Sequence, residues 1–353
     1  MSHLRDRIYG CLAASRVGSA MGAPVEGWSP ERIRETHGYV DRFLPYLHYA
    51  YRGVTWQRPP GTTEDGIERQ KLMCEAIIAR QDRITADDLA RTSVELTSLD
   101  KMWYTTEPDD QRLMQFMKAG VPPAEVGRLS NWHALNAVAR ASHPIGLINA
   151  GDPDGAARDV ADIGRLYFKP TDIALVWAGV YVAGIASAVA PGATVDSVLA
   201  TARGYASDPM KREIDRALEI VGRAADYEAM RAEFYKLYNG VGIPYAMSSA
   251  SETVSKALAI FAFSKGDPKQ AILAAVNFGR DTDCLAATAG GLAGALTGVG
   301  AVPAEWIEQL DAATATNPYT NVVCTVEQHA DGLYGAVRTR AVRVRRLLDV
   351  LDS

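Results

Sequence analysis

Cysteine is scarce in this chain of 353 residues, which has only four. The four lie far apart, with no CxxC spacing and no histidine pair nearby. This pattern argues against a zinc site, and sparse cysteine in a long chain is typical of a reducing compartment. An apolar run follows Arg5 and Arg7, but Arg16 ends it at the short limit of a signal peptide. We therefore expect a cytoplasmic protein.

An excess of basic charge is also absent. The chain has 37 Lys and Arg against 42 Asp and Glu, a formal net charge of −5, and 48% of its residues are hydrophobic. Nucleic-acid binding requires a basic surface and disorder requires a more polar composition, so we expect neither. The sequence has no GxSxG elbow, no P-loop and no Rossmann fingerprint. The composition is that of an ordinary folded globule.

One long uncharged run, residues 173–190, is just long enough to span a bilayer. It consists mostly of alanine, glycine and valine, and charged residues flank it at Lys169, Asp172 and Asp196. We interpret it as a buried central helix rather than a membrane span. No membrane partner is expected.

Strand-like alternation is not evident, whereas helical patterns are common. Thr85 can cap a helix from Ala86, and Asp267-Pro268 can start another. The sequence pattern predicts surface helices over residues 208–224 and 228–238, and long loops over 43–62 and 239–247. Gly290, Gly294 and Gly298 recur at a spacing that lets another backbone approach one helix face. We predict an all-α helical bundle in a single domain, residues 1–353.

Two acidic motifs lie at predicted helix starts. In the first, Thr63, Glu64 and Asp65 precede a helical pattern, and plain capping of a helix N-terminus would also explain them. In the second, Asp281 and Asp283 stand before an apolar helix that is otherwise nearly free of charge. Capping needs one acidic side chain, and a second one beside a buried helix is unfavourable unless a cation neutralises it. Together the two motifs offer enough oxygen ligands for a site with two Mg²⁺ ions.

Four blocks of sequence, in order, resemble the ADP-ribosylglycohydrolase family, which includes ADP-ribosylarginine hydrolases and dinitrogenase-reductase-activating glycohydrolases. The blocks are residues 10–14 with 18–26, 63–65, 144–146, and 277–284 followed by 286–287 and 290–298. The resemblance implies an all-α bundle with two Mg²⁺ ions, or Mn²⁺, between the acidic helix starts. It implies that Thr63, Glu64 and Asp65 hold one ion and that Asp281, Asp283 and the next residue, Cys284, hold the other.

By the same resemblance the reaction is hydrolysis of an N- or O-glycosidic bond of a ribose, with a carboxylate activating water. Glu26, which matches a mobile-loop glutamate of some members, Glu64 and Asp65 are the candidate bases, and no choice is made among them. The substrate is then an ADP-ribosylated molecule or a small riboside or nucleoside-like compound.

The chain departs from the family pattern at several positions. These are Ser19, Glu64, Gly66, Arg280, Cys284 and a missing histidine near 168–170. Arg280 either contacts an anionic group of the substrate or neutralises Asp281 or Asp283. Further substrate-binding candidates are Gly146, Tyr51 and Trp56, although aromatic residues in loops more often pack over the core.

The departures leave three functions open. The first is a metal-dependent glycohydrolase, the second is a non-catalytic descendant that binds ADP-ribose or a nucleotide, and the third is a glycosidase with one metal or none. The sequence makes no prediction of oligomeric state.

Overall fold

The computed structural model describes residues 2–51, 53–105, 108–316 and 320–351. Over these residues the fold is all-α apart from one two-stranded sheet, which confirms the predicted class. The helices are α1 (His3–Gly22), α2 (Pro30–His37), α3 (Asp65–Arg80), α4 (Ala86–Leu96), α5 (Leu99–Thr105), α6 (Pro108–Lys118), α7 (Pro123–Val126), α8 (His143–Ile148), α9 (Pro153–Ile163), α10 (Ile173–Ala188), α11 (Val195–Gly204), α12 (Asp208–Arg223), α13 (Tyr227–Leu237), α14 (Ala250–Phe263), α15 (Pro268–Val276), α16 (Thr282–Thr297), α17 (Ala304–Ala313) and α18 (Val326–Leu351). Short 3₁₀ turns lie at Ala23–Val25, Gly127–Leu129, Ala139–Ala141, Gly164–Leu166, Val299–Ala301 and Thr314–Thr316.

Local capping signals located several helices correctly. Thr85 caps α4 through a capping box with Asp88, and Asp267 caps α15 with Pro268 at its first position. The predicted surface helices at 208–224 and 228–238 correspond to α12 and α13. A hydrophobic core extends from Ile8 to Ala336. The single-domain organisation stays a prediction.

The centre of the fold is the contact between α1 and α16, and glycine makes it close. A Cβ atom on Gly294 would lie 2.1 Å from the carbonyl oxygen of Gly10, and one on Gly290 would lie 2.9 Å from that of Ala14. The predicted glycine face is therefore present on α16. Gly298, however, has a φ of 86° and ends the helix instead of continuing its face.

The uncharged run at 173–190 forms α10, which is buried along most of its length. It packs against α9, α11 and α14 in the interior of the bundle. This confirms the interpretation as a core helix. Within the described ranges, no helix has both the length and the hydropathy required to cross a bilayer.

The predicted loop at 43–62 is wrong in part, because it contains an antiparallel hairpin. Strands β1 (Tyr46–Tyr51) and β2 (Val54–Arg58) pair with Tyr46 opposite Arg58, and Gly53 has a positive φ of 76° at the turn. Tyrosine, tryptophan, valine and threonine favour strands, and this signal was obscured by the flanking prolines and glycines. The hairpin matters because it carries Tyr46 and Arg58 to the acidic residues described next.

Candidate metal centre

The two acidic motifs meet at the N-termini of two helices. Glu64 is the N-cap residue of α3 and Asp65 its first residue, whereas Asp281 is the N-cap residue of α16 and Asp283 lies in its first turn. Glu26 follows the 3₁₀ turn at the end of α1, and its carboxyl group is close enough to interact with the carboxylates of both motifs. Five carboxyl groups therefore converge, and helix N-termini favour negative charge.

The carboxylates of Asp281 and Asp283 are almost fully buried, with 4% and 2% of these residues exposed. The Nδ2 atom of Asn136 donates to Oδ2 of Asp281 at 2.8 Å. In the described part of the chain, no donor reaches Oδ1 of Asp281 or Oδ1 of Asp283. Buried acceptors without a partner are uncommon, and these two oxygens are suited to binding a cation.

The pKa values of the cluster reflect this excess of negative charge. Burial raises the pKa of Asp283 well above its usual range, and Glu26 and Asp281 raise it further. Burial and the nearby charges of Asp281 and Glu64 likewise raise the pKa of Glu26. A positive ion among these groups would favour their ionised forms.

Arg140, from the 3₁₀ turn Ala139–Ala141, lies between the two motifs. Its Nη2 donates to Oδ2 of Asp65 at 2.6 Å, and its Nη1 donates to Sγ of Cys284 at 3.0 Å and lies 3.6 Å from Oδ2 of Asp283. Arg69 contacts the same Asp65 oxygen at 2.8 Å. Burial alone would raise the pKa of Asp65, but Arg140 and Arg69 outweigh it and hold the pKa well below its usual range.

The Thr63 and Glu64 side of the cluster is also occupied by protein groups. The hydroxyl of Tyr46 donates to Oε1 of Glu64, and Nη2 of Arg58 lies 3.9 Å from Oε2 of Glu64. The Thr63 hydroxyl donates to Oε1 of Glu68 at 3.4 Å. These contacts hold Glu64 between two residues that are opposite each other in the hairpin.

Arg280 does not neutralise Asp281 or Asp283 as one of the two sequence interpretations held. Its Nε and Nη2 donate to the two carboxylate oxygens of Glu252 at 2.7 and 2.9 Å, and Nη2 also donates to the carbonyl oxygen of Tyr245. Lys256 donates to the same Glu252 at 2.6 Å. Glu252 is buried and forms ion pairs with both Lys256 and Arg280, so the guanidinium of Arg280 is directed away from Asp281 and Asp283.

The remaining candidates are distributed around the cluster. Gly146 is buried on α8, where an added Cβ would lie 2.6 Å from Cβ of Ile185, so its local role is close packing against α10. Trp56 lies on β2 with the Arg58 guanidinium 5.0 Å from its ring centre. The backbone of Tyr51 ends β1, and its side chain lies outside the described residues. The substrate contacts predicted for these residues and for Arg280 stay predictions.

Sequence reasoning missed Arg140, Asn136 and Tyr46. Arg140 is separated from Asp65 by 75 positions and from Cys284 by 144, so no local pattern connects them. One signal was available, since Arg140 is the only Asp, Glu, Lys or Arg between Arg128 and Asp152. An isolated charge in an apolar segment indicates a buried partner.

The potential ligand atoms at the start of α16 fit a divalent cation. Asp281, Asp283 and Cys284 offer ligand atoms within 4.8 Å of one another, and carboxylate oxygens are what Mg²⁺ and Mn²⁺ prefer. Burial raises the pKa of the Cys284 thiol well above its ordinary value, which suits a hydrogen-bonding role better than ligation. Thr63, Glu64 and Asp65 fit an ion less well because arginine and tyrosine already contact both carboxylates.

A second group of potential ligands, Glu75, Cys324 and His329, also lies within 4.8 Å. Arg16 is 2.9 Å from Nδ1 of His329, and Nε2 of His329 is 2.9 Å from Glu75. An arginine can only donate, so Nδ1 accepts and Nε2 carries the proton toward Glu75. Neither ring nitrogen then offers a lone pair to a metal.

The sequence pattern of ADP-ribosylglycohydrolases matches residues 1–342. The chain belongs to the ADP-ribosylglycohydrolase family. Its relatives include the uncharacterized protein YegU of Escherichia coli (strain K12), 28% identical over 348 residues, 93% of this chain and 99% of YegU. An uncharacterized Archaeoglobus fulgidus protein is 24% identical over 323 residues, 87% of this chain and 92% of its own length.

Among solved structures, an ADP-ribosylglycohydrolase-related protein complex includes a chain of the same fold. The TM-score is 0.66 at 20% identity, covering 96% of this chain and 99% of that one. Membership of the ADP-ribosylglycohydrolase family supports a glycohydrolase type of activity in general. The family is typically metal-dependent, and the acidic cluster supplies residues suited to a metal.

Proposed function

We propose that this ADP-ribosylglycohydrolase cleaves an N- or O-linked ribosyl bond in an ADP-ribosylated or riboside-like substrate, using Mg²⁺ or Mn²⁺. The observation that carries the proposal is the convergence of five carboxyl groups around two buried oxygens that lack a donor, on Asp281 and Asp283. All four cysteines are free thiols, in keeping with the cytoplasmic location that we also propose.

Asp281 and Asp283 would hold the cation, and Asn136 keeps Asp281 oriented by its hydrogen bond to Oδ2. When bound, a divalent cation orients sugar hydroxyls and water and stabilises developing negative charge. The surrounding carboxylates would in turn stabilise the positive charge that develops on the ribose ring in an oxocarbenium-like transition state.

Among the three candidate bases, the contacts favour Glu26. Asp65 accepts a hydrogen bond from Arg140 and forms an ion pair with Arg69, and Glu64 accepts from Tyr46, so both carboxylates are engaged and less basic. Within the described residues, the Glu26 carboxyl group has no hydrogen-bond donor and no ion pair, and Glu26 is half-buried. A carboxylate with free lone pairs is the better acceptor for a proton from water.

The test is a hydrolysis screen with Mg²⁺, comparing ADP-ribosyl-arginine, ADP-ribosyl-serine, ADP-ribose and several nucleosides for ribosyl release. On any substrate that is cleaved, Glu26→Gln should reduce kcat by about 10²–10⁴, the usual contribution of a general base. Glu305→Gln, an exposed and chemically identical change, is the matched control. Retention of full kcat in Glu26→Gln would refute its role as the base.

Metal dependence is tested separately by calorimetry with Mg²⁺ and Mn²⁺. We expect Asp281→Asn to abolish both ion binding and turnover, while the exposed Asp196→Asn changes neither. Absence of ion binding in the wild-type protein would refute a metal-dependent reaction. If the protein binds the ion but hydrolyses no substrate of the panel, the result would instead favour the non-catalytic descendant that binds ADP-ribose or a nucleotide.

A further inference from the structure

The acidic cluster is neutralised unevenly. On the α3 side, Asp65 contacts Arg140 and Arg69 at 2.6 and 2.8 Å, and Glu64 has Arg58 within 3.9 Å and the Tyr46 hydroxyl as donor. On the α3 side, both carboxylates, Asp65 and Glu64, therefore already have an arginine of the protein nearby.

The α16 side is different. The nearest cation to Asp283 in the described chain is the same Arg140, at 3.6 Å, and two carboxylate oxygens have no donor at all. The other cations near this helix start, Lys256 and Arg280, are both held by Glu252. Among the carboxylates of the two helix starts, unneutralised negative charge is thus confined to the α16 side.

Arg140 is held at the boundary between the halves. Only 13% of its side chain is exposed, and its two terminal nitrogens contact Asp65 on one side and Cys284 on the other. An ion close enough to bind Asp65 would lie beside two guanidinium groups, which would repel it. Displacing Arg140 would in turn leave a buried cation without its partner.

We propose that Arg140 occupies the place of one of the two cations that the family pattern implies, so that this protein binds a single divalent cation. The ion lies at Asp281 and Asp283, and none lies at Thr63, Glu64 and Asp65. This inference rests on the metal site of the proposed function and specifies its stoichiometry.

The stoichiometry is measurable without turnover, by calorimetric titration with Mn²⁺ and by the electron paramagnetic resonance spectrum of the bound ion. We expect wild-type protein to bind one Mn²⁺ with the spectrum of an isolated ion. Arg140→Met removes the charge and keeps much of the side-chain length, and it should bind two ions with a spin-coupled spectrum. Arg140→Lys keeps the charge and should remain at one.

Each result has a definite meaning. Two ions in the wild-type protein would refute this inference and leave the proposed function intact. No ion in the wild-type protein would refute the metal-dependent function and this inference with it. If Arg140→Met folds, as judged by circular dichroism, and still binds a single ion, Arg140 does not exclude the second one and the inference fails. If that variant does not fold, the wild-type stoichiometry alone decides.

Discussion

Gly294→Ala tests whether the contact between α1 and α16 depends on the missing side chain. The added Cβ would lie 2.1 Å from the carbonyl oxygen of Gly10 and 2.6 Å from its carbonyl carbon. Ordinary van der Waals contact for a Cβ atom begins at 3.4 Å. The atoms in the way belong to a backbone and cannot rotate aside, so the two helices must separate by about 1 Å.

Two opposing effects set the magnitude. Overpacking a close-packed core typically costs about 1–3 kcal/mol. Alanine in a helix interior recovers roughly 0.5–1 kcal/mol relative to glycine. Because the clash is with backbone on a fully buried face, we expect the upper part of the overpacking range, and a net loss of about 2 kcal/mol in the free energy of unfolding.

The assay is equilibrium unfolding in urea followed by far-ultraviolet circular dichroism. Gly204→Ala is the matched control, since Gly204 ends α11 and an added Cβ there would meet nothing within 4 Å. That variant should be neutral or more stable by up to about 1 kcal/mol. If Gly294→Ala is as stable as Gly204→Ala, the close approach of α1 and α16 does not depend on glycine and the packing reasoning is wrong.

Two further predictions concern buried charge. Burial lowers the pKa of His143 to about 4, so the unfolded chain binds one more proton than the folded chain between about pH 4 and 6.5. The free energy of unfolding should fall by about 2 kcal/mol between pH 7 and pH 5 because of this group. In urea unfolding at the two pH values, His143→Gln should remove this part of the pH dependence, whereas the exposed His3→Gln should retain it. Glu252→Gln would leave Lys256 and Arg280 buried without their carboxylate, and it should lower the free energy of unfolding by about 3–5 kcal/mol. A loss below about 1 kcal/mol in the same assay would mean that these two cations find other partners.

Local sequence signals were sufficient for the helix starts that carry the site. Acidic residues followed by apolar positions at helical spacing act over a few residues, so α3 and α16 begin at the acidic motifs, as predicted, although neither Glu64 nor Asp281 makes a side-chain capping hydrogen bond. The hairpin was missed because strand pairing is stabilised by cross-strand and tertiary contacts that a local pattern does not contain.

The cations of the site were beyond local reasoning for a similar reason. Arg140, Arg69 and Arg58 come from a 3₁₀ turn, a helix and a strand, and only the packed bundle brings them together. The need to neutralise buried charge gives a partial prediction, because a buried carboxylate implies a cation somewhere in the chain. It does not say which one, and Arg280, the nearest in sequence to Asp281, belongs to Glu252.

The packing of α1 against α16 also determines where Glu26 lies. A Cβ on Gly22, the last residue of α1, would lie 2.5 Å from the carbonyl oxygen of Thr282, and the Thr282 hydroxyl donates to the carbonyl oxygen of Gly22. Beyond this contact, Gly27 donates its backbone N–H to the carbonyl oxygen of Arg280, and Arg280 donates back to that of Trp28. Glu26 is thus attached on both sides to the residues that flank Asp281, although the family resemblance implied a mobile loop at this position. The glycines that stabilise the core therefore also fix the distance between the favoured base and the carboxylates that would bind the metal, so a change in helix separation should alter catalysis as well as stability.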